Sequence, residues 1–231
     1  MILEIETEAA KSLLGVLLSC QCPIKKEAEK EIVQYYLSHK HDSTFDFQKM
    51  IEIAGPADGN TVFHRLRDFC LYSKNNLDKI TITEEDVYRH FCSAFHWKIV
   101  EDALVSSYKD ISDIRAWFVG HMLLPVRLKG KRDSVLAEYS TSDAKIRLLS
   151  VFIPPDIKVK DNGLYSIHFA SVISEITAEH YRMINQQLEA IRRFIEFRND
   201  VKEIDYSDFQ KLKNYREFCE NRYLKYFQIK L

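Results

Sequence analysis

Ile157-Lys158-Val159-Lys160-Asp161-Asn162-Gly163-Leu164-Tyr165-Ser166-Ile167-His168-Phe169 is the stretch from which the rest of the chain is read. Apolar and polar residues alternate on both arms, and Asn-Gly stands between them. That pairing is the strongest short-range hairpin signal, because two residues that tolerate positive φ match the twist of the flanking strands. Pro154-Pro155 sets the stretch apart from what precedes it. Elsewhere the apolar residues recur mainly at helical spacing. The expected fold is therefore mainly α, a bundle-like packing of helices with one β-hairpin, winged-helix-like in part.

Downstream of the hairpin, Ser171 to Asp200 reads as one long helix. Ile184, Leu188, Ile191 and Ile195 alternate spacings of four and three, a face expected to pack on another helix. A last helix is expected over about 206–227. It is rich in aromatics: Tyr206, Phe209, Tyr215, Phe218, Tyr223, Tyr226 and Phe227.

Upstream, helices are expected over about 4–20 and 24–38, the second started by Pro23. Phe45 to Ala54 and Thr61 to Tyr72 read as two shorter helices, with Gly55-Pro56 and Gly59-Asn60 between them. Ile80-Thr81-Ile82 is too short to assign. Thr83 followed by Glu84, Glu85 and Asp86 is a helix start, with the helix expected to run to about Ser106. Ser112 starts another, carrying Ile114, Trp117, Phe118, Met122 and Leu123, and Pro125 ends it. Ser134–Tyr139 and Asp143–Val151 read as short helices, the second with strand character. Residues 1–124 form an expected N-terminal helical region, and 125–231 a C-terminal region with the hairpin and long helices. No flexible linker marks the boundary, and a single core is the alternative.

Composition narrows the function classes. The chain has 231 residues, 46% hydrophobic and 29% charged, with a net charge of −1. This is globular rather than disordered composition. It lacks the basic excess of a dedicated nucleic-acid binder. The five cysteines are odd in number and scattered, which does not suggest a disulfide framework. No signal peptide and no membrane-length apolar run is seen. The expected location is the cytoplasm, or the nucleus in a nucleated host. With six glycines, no G-x-G-x-x-G and no P-loop, no nucleotide or other cofactor is expected. G-x-S-x-G, H-E-x-x-H and C-x-x-C are also missing.

Five groups of residues carry candidate chemistry. The first is a helix-turn-helix reading of Phe45 to Tyr72. His64, Arg65 and Arg67 would face the major groove, and the later hairpin would serve as a wing. Against it, the turn is long, the helix carries Asp68, and the hairpin is distant in sequence. Ordinary helix packing with solvated charges is the plainer reading. The second is Arg89-His90-Phe91-Cys92-Ser93-Ala94-Phe95-His96. It resembles the short motif of HEPN ribonucleases. That resemblance implies metal-independent RNA cleavage, with Arg89 and His96 at a dimer interface. An imidazole moves protons while a guanidinium steadies phosphate. Arg198-Asn199-Asp200 is a second near-match without the histidine.

The third group is Cys20, Cys22, His39 and His41. C-x-C with H-x-H is not an established zinc spacing, so no metal is expected. The fourth is the basic stretch Arg127, Lys129, Lys131 and Arg132, suited to phosphate or to an acidic partner surface. The fifth is the aromatic tail, in which Tyr215, Phe218, Tyr223, Tyr226 and Phe227 cannot all face one side. Aromatics concentrate at interface hot spots. The expected function is thus a non-catalytic regulatory or adaptor subunit. It would act through contacts with a protein partner or a second copy of itself. A DNA-binding regulator and a HEPN-like ribonuclease are the alternatives, nucleic acid being the partner then, and no membrane association is expected.

Overall fold

A computed structural model describes residues 1–20, 24–55, 61–74, 78–98, 121–130, 136–140, 145–148, 151–197 and 215–227. The chain divides into two compact units, Met1–His90 with Tyr226–Leu231, and Phe91–Lys225. The sequence reading put its boundary further along, near 125.

The first unit is a small mixed sheet with helices. Its elements are β1 (Ile2–Glu6), α1 (Thr7–Ser19), α2 (Lys26–His39), β2 (Thr44–Asp46), α3 (Phe47–Ala54), α4 (Val62–Ser73), β3 (Lys79–Ile82) and α5 (Glu84–Phe91). The strand order is β2-β1-β3. β1 runs antiparallel to β2, with Ile5 opposite Phe45, and parallel to β3, with Leu3 opposite Ile80. The parallel pair is possible because four helices cross over between its strands. Leu3, Ile5, Ile80 and Ile82 are buried, joined in the core by Leu13, Leu17, Ile32, Phe47, Phe63 and Leu66.

The second unit holds a helical segment at 94–98, then β4 (Leu124–Lys129), β5 (Leu136–Ser140), β6 (Lys145–Leu148), β7 (Leu164–His168), β8 (Ser171–Glu175), α6 (Ala178–Phe197) and α7 (Tyr215–Phe227). Its sheet is antiparallel throughout, in the order β6-β5-β4-β7-β8.

These sheets overturn the expectation of a mainly α bundle; the protein is mixed α/β. β1 was missed because its alternating Leu3 and Ile5 run directly into the leucine-rich helix α1. Phe45 belongs to β2, and α3 begins only after Asp46, whose carboxylate accepts the Lys49 N–H at 3.3 Å as an N-cap. In β4, Val126 and Leu128 are buried while Arg127 is exposed. The charges there are one face of a strand. β5 stands where Ser134–Tyr139 was read as a short helix, and β6 falls in Asp143–Val151, where the strand alternative holds.

The Asn162-Gly163 turn exists, with Asn162 at φ 59° and the Gly163 N–H donating to Lys160 O at 3.0 Å. Its two arms do not form a hairpin. Tyr165 intervenes: its hydroxyl accepts the Lys160 N–H at 2.8 Å and donates to Lys158 O at 3.1 Å. β7 pairs instead with β4 on one side and β8 on the other, turning at Phe169-Ala170. Ser171–Glu175, read as helix, is that second strand. Its Val172 and Ile173 are β-branched and buried, as a strand favours. α6 starts after Thr177, whose hydroxyl accepts the His180 N–H at 3.1 Å. Its Ile184, Leu188 and Ile191 are buried, and among the described elements the helix packs chiefly against β4 and β7. The winged-helix reading fails on the same ground. β3 pairs with β1, and the supposed wing is part of the five-stranded sheet.

Candidate interaction surface

α4 is a helix with two chemically distinct sides. Thr61 caps it, its hydroxyl accepting the His64 N–H at 3.5 Å and lying 2.7 Å from His64 Nδ1. Val62, Phe63, Leu66 and Cys70 are buried, with the Phe63 ring 6.1 Å from that of Phe47 on α3. Phe69 flanks this side, 5.3 Å from the buried His90 ring. The opposite side bears Arg65, Asp68 and Tyr72, which share a face because residues three and four apart on a helix are neighbours. Tyr72 is 93% exposed, the most exposed of the large hydrophobic residues described.

The charges around Tyr72 are unequal. Arg67 Nη2 lies 2.7 Å from Asp68 Oδ1, so this pair neutralises itself. Burial, followed by the neighbouring Arg67, lowers the His64 pKa, leaving the imidazole neutral at pH 7. Half-burial lowers the Arg65 pKa too, but a guanidinium starts so high that it stays charged. The exposed face therefore offers one cation not neutralised by an adjacent partner in the sequence, Arg65, about two helical turns from an open aromatic ring.

The other predicted residues fall elsewhere. Arg89 Nε donates to Glu85 Oε1 at 2.7 Å in an exposed i,i+4 pair. His96 is buried, its ring 4.9 Å from Phe91 and edge-on to it. Of the two residues, Arg89 is thus exposed and His96 enclosed. Arg127 Nη1 donates to Asn162 O at 2.6 Å, and Lys129 Nζ pairs with Glu138 at 3.1 Å. The two described cations of that stretch are thus both engaged within the unit. Lys131 and Arg132 lie outside the described residues.

In the tail, Tyr223 and Cys219 are buried, and Phe218, Tyr226 and Phe227 are partly exposed. The Tyr223 hydroxyl donates to Asp156 Oδ1 at 2.7 Å, and its ring lies 5.6 Å from Phe152. α7 is thus docked on its own unit through Cys219 and Tyr223, one helical turn apart. Phe218 carries Arg222 over its ring at 5.6 Å. The Tyr215 side chain, Tyr206, Phe209, Trp117, Phe118 and the Arg198-Asn199-Asp200 near-match are outside the described residues.

His39 Nδ1 lies 2.9 Å from Asp42 and its ring stacks on Phe45 at 5.8 Å, while His41 is exposed and Cys20 buried. Cys22 is outside the described residues. Among those described, no group of three histidine, cysteine or carboxylate side chains is placed to hold a metal ion. None of their helices is long and apolar enough to cross a membrane.

Sequence reasoning named Arg65 but not Tyr72, which it gave only as the end of a helix. It also missed a group of histidines in the second unit. His96, His121 and His168 are far apart in sequence, so no local spacing announces them. Comparison with protein families, curated proteins and solved structures finds no match to this chain.

Proposed function

We propose that this chain is a non-catalytic regulatory or adaptor subunit of the cytoplasm, or of the nucleus, and that it engages a protein partner through the outer face of α4. The observation that carries this reading is Tyr72, an almost fully exposed aromatic on the same helical face as Arg65. Tyrosine and arginine are the residue types most enriched at interface hot spots, where a ring fills a partner's pocket and a guanidinium meets its acceptors. With Asp68 already paired to Arg67, Arg65 favours a partner segment that brings a carboxylate beside an apolar pocket.

The test is purification of the tagged full chain from its native host, with nuclease present, beside Tyr72→Ala and Arg65→Glu variants. A stoichiometric protein retained by the wild type and lost from both variants, at unchanged melting temperature, is the expected result. Equal retention by all three overturns the α4 surface. Recovery of nucleic acid alone, when nuclease is omitted, overturns the protein-adaptor reading in favour of nucleic-acid binding.

A further inference from the structure

Three imidazoles and two phenyl rings meet in the second unit. The Phe91 ring lies 4.9 Å from His96 and 6.2 Å from His168. His168 is in turn 6.2 Å from His121 and 4.9 Å from Phe169, and His121 is 4.7 Å from Phe169. His96 and His168 are buried, and His121 is half-buried. These rings come from four places: the end of α5, the 94–98 segment, the residues entering β4, and the β7–β8 turn.

The turn itself is strained. Phe169 has φ +50°, a left-handed conformation that a bulky side chain rarely adopts. Such a residue persists where its surroundings over-determine it. Here the Phe169 ring is 1% exposed and held between His121 and His168.

What the turn holds is α7. The Ala170 carbonyl accepts the Phe152 N–H at 2.6 Å, and Phe152 O accepts the Val172 N–H at 2.9 Å. Phe152 carries the Tyr223 ring. The Cys219 thiol is hydrogen-bonded to the Ala170 backbone, and burial pushes its pKa up to about 12. The anchors of α7 therefore rest on the turn that the imidazoles brace.

We propose that the His96–His121–His168 cluster is a proton-operated latch, closed when its rings are neutral and opened by acid, so that acidification undocks α7 from Phe152 and Ala170. Two imidazolium rings 6.2 Å apart in a closed interior repel and demand water. Opening the Phe169 turn relieves the repulsion and the backbone strain together. The titratable groups bearing on His168 are His121, from the segment before β4, and His96, from 94–98. On the α7 side, Asp156 is engaged by the Tyr223 hydroxyl. On β8, Glu175 is held by Lys160 at 2.6 Å. Carboxylates ordinarily titrate near pH 4, below the histidine range, so the two causes separate on the pH axis.

The experiment is hydrogen exchange of the full chain at pH 7.5 and pH 5.0, with intrinsic rates corrected. One imidazole kept neutral in the closed state shifts the closed-to-open ratio by up to about thirtyfold between pH 7.5 and 5.0. The expected result is a loss of protection of about tenfold or more in 164–175 and 215–227, with α1 unchanged. A His121→Gln variant is expected to flatten that response. Unchanged protection of 215–227 at pH 5.0 overturns the latch. So does a loss that begins only below about pH 4.5, which is carboxylate titration. Should His121→Gln fail to fold, wild-type imidazole titration by NMR decides. Uptake of protons by these rings at the pH where 215–227 opens supports the latch, and uptake without opening overturns it.

Discussion

The Tyr165 hydroxyl accepts the Lys160 backbone N–H at 2.8 Å, occupying the place a strand partner would take. The same oxygen donates to Lys158 O at 3.1 Å. One side chain thus satisfies two main-chain groups of the segment before β7. Tyr165→Phe keeps the ring and removes both bonds. It is expected to cost about 1–3 kcal/mol, the usual cost of leaving part-buried polar groups unpaired. Urea denaturation of the two proteins measures it. Exchange of the Lys160 amide should rise as well. An unchanged midpoint would mean that water replaces the hydroxyl without loss.

This contact also marks the limit of what was legible beforehand. Asn162-Gly163 was a correct turn signal, because positive φ is a local property. Which strand Leu164–His168 would join was not local. The alternation of Ile157 and Val159 was as good as that of Val126 and Leu128, but β4 took the pairing. Helix starts were legible for the same local reason, as at Thr61 and Thr83, whose hydroxyls accept the His64 and Asp86 N–H groups. Strands as short as β1, β2 and β3 were hidden beside helices, since a few alternating residues carry little periodicity. Of the candidate surface, Arg65 was visible as an outward charge. The exposure of Tyr72 depends on where neighbouring elements end. The histidine cluster needed the tertiary fold.

Gly163 is required by the neighbouring ring. A Cβ built there would stand 2.7 Å from Tyr165 Cε2 and 3.0 Å from Lys160 O. Gly163→Ala is therefore expected to destabilise the second unit by about 1–3 kcal/mol, as overpacking does. The Gly163→Ala, Tyr165→Phe double variant is expected to cost less than the sum of the two changes. A double-mutant cycle in urea checks it. Strict additivity would show that the clash is relieved without moving Tyr165.

Asp86 closes the start of α5. Its Oδ2 accepts the Thr83 N–H at 2.8 Å and the Thr83 hydroxyl at 2.9 Å, and takes Lys74 Nζ at 2.6 Å. The Thr83 hydroxyl accepts the Asp86 N–H at 3.3 Å in return. This is a reciprocal cap reinforced by an ion pair with a largely buried carboxylate. Asp86→Ala is expected to lower stability by about 1–3 kcal/mol. Lys74→Met is expected to cost less, because the capping bonds survive it. The ranking, read from melting temperatures at neutral pH, would be reversed if the ion pair outweighed the cap.

The pH dependence of the second unit follows from His168. Burial, then the fields of His121 and His96, hold its pKa well below the ordinary 6.5. In the unfolded chain the imidazole returns to about 6.5. Above that value neither state binds the proton, and the stability is fully present. Below it the unfolded state takes up a proton that the folded state refuses, so stability falls as pH falls, until the folded pKa is reached. The slope approaches about 1.4 kcal/mol per pH unit for one such group. Denaturation in urea at pH 7.5, 6.5, 5.5 and 5.0, with the buried Trp97 as a fluorescence reporter, is expected to show a flat region and then a decline beginning near pH 6.5. A His168→Gln variant should start lower at pH 7.5 and lose the decline that belongs to this residue. Stability that is level from pH 7.5 to 5.0 in the wild type would mean that His168 takes its proton in the folded state at the ordinary pH.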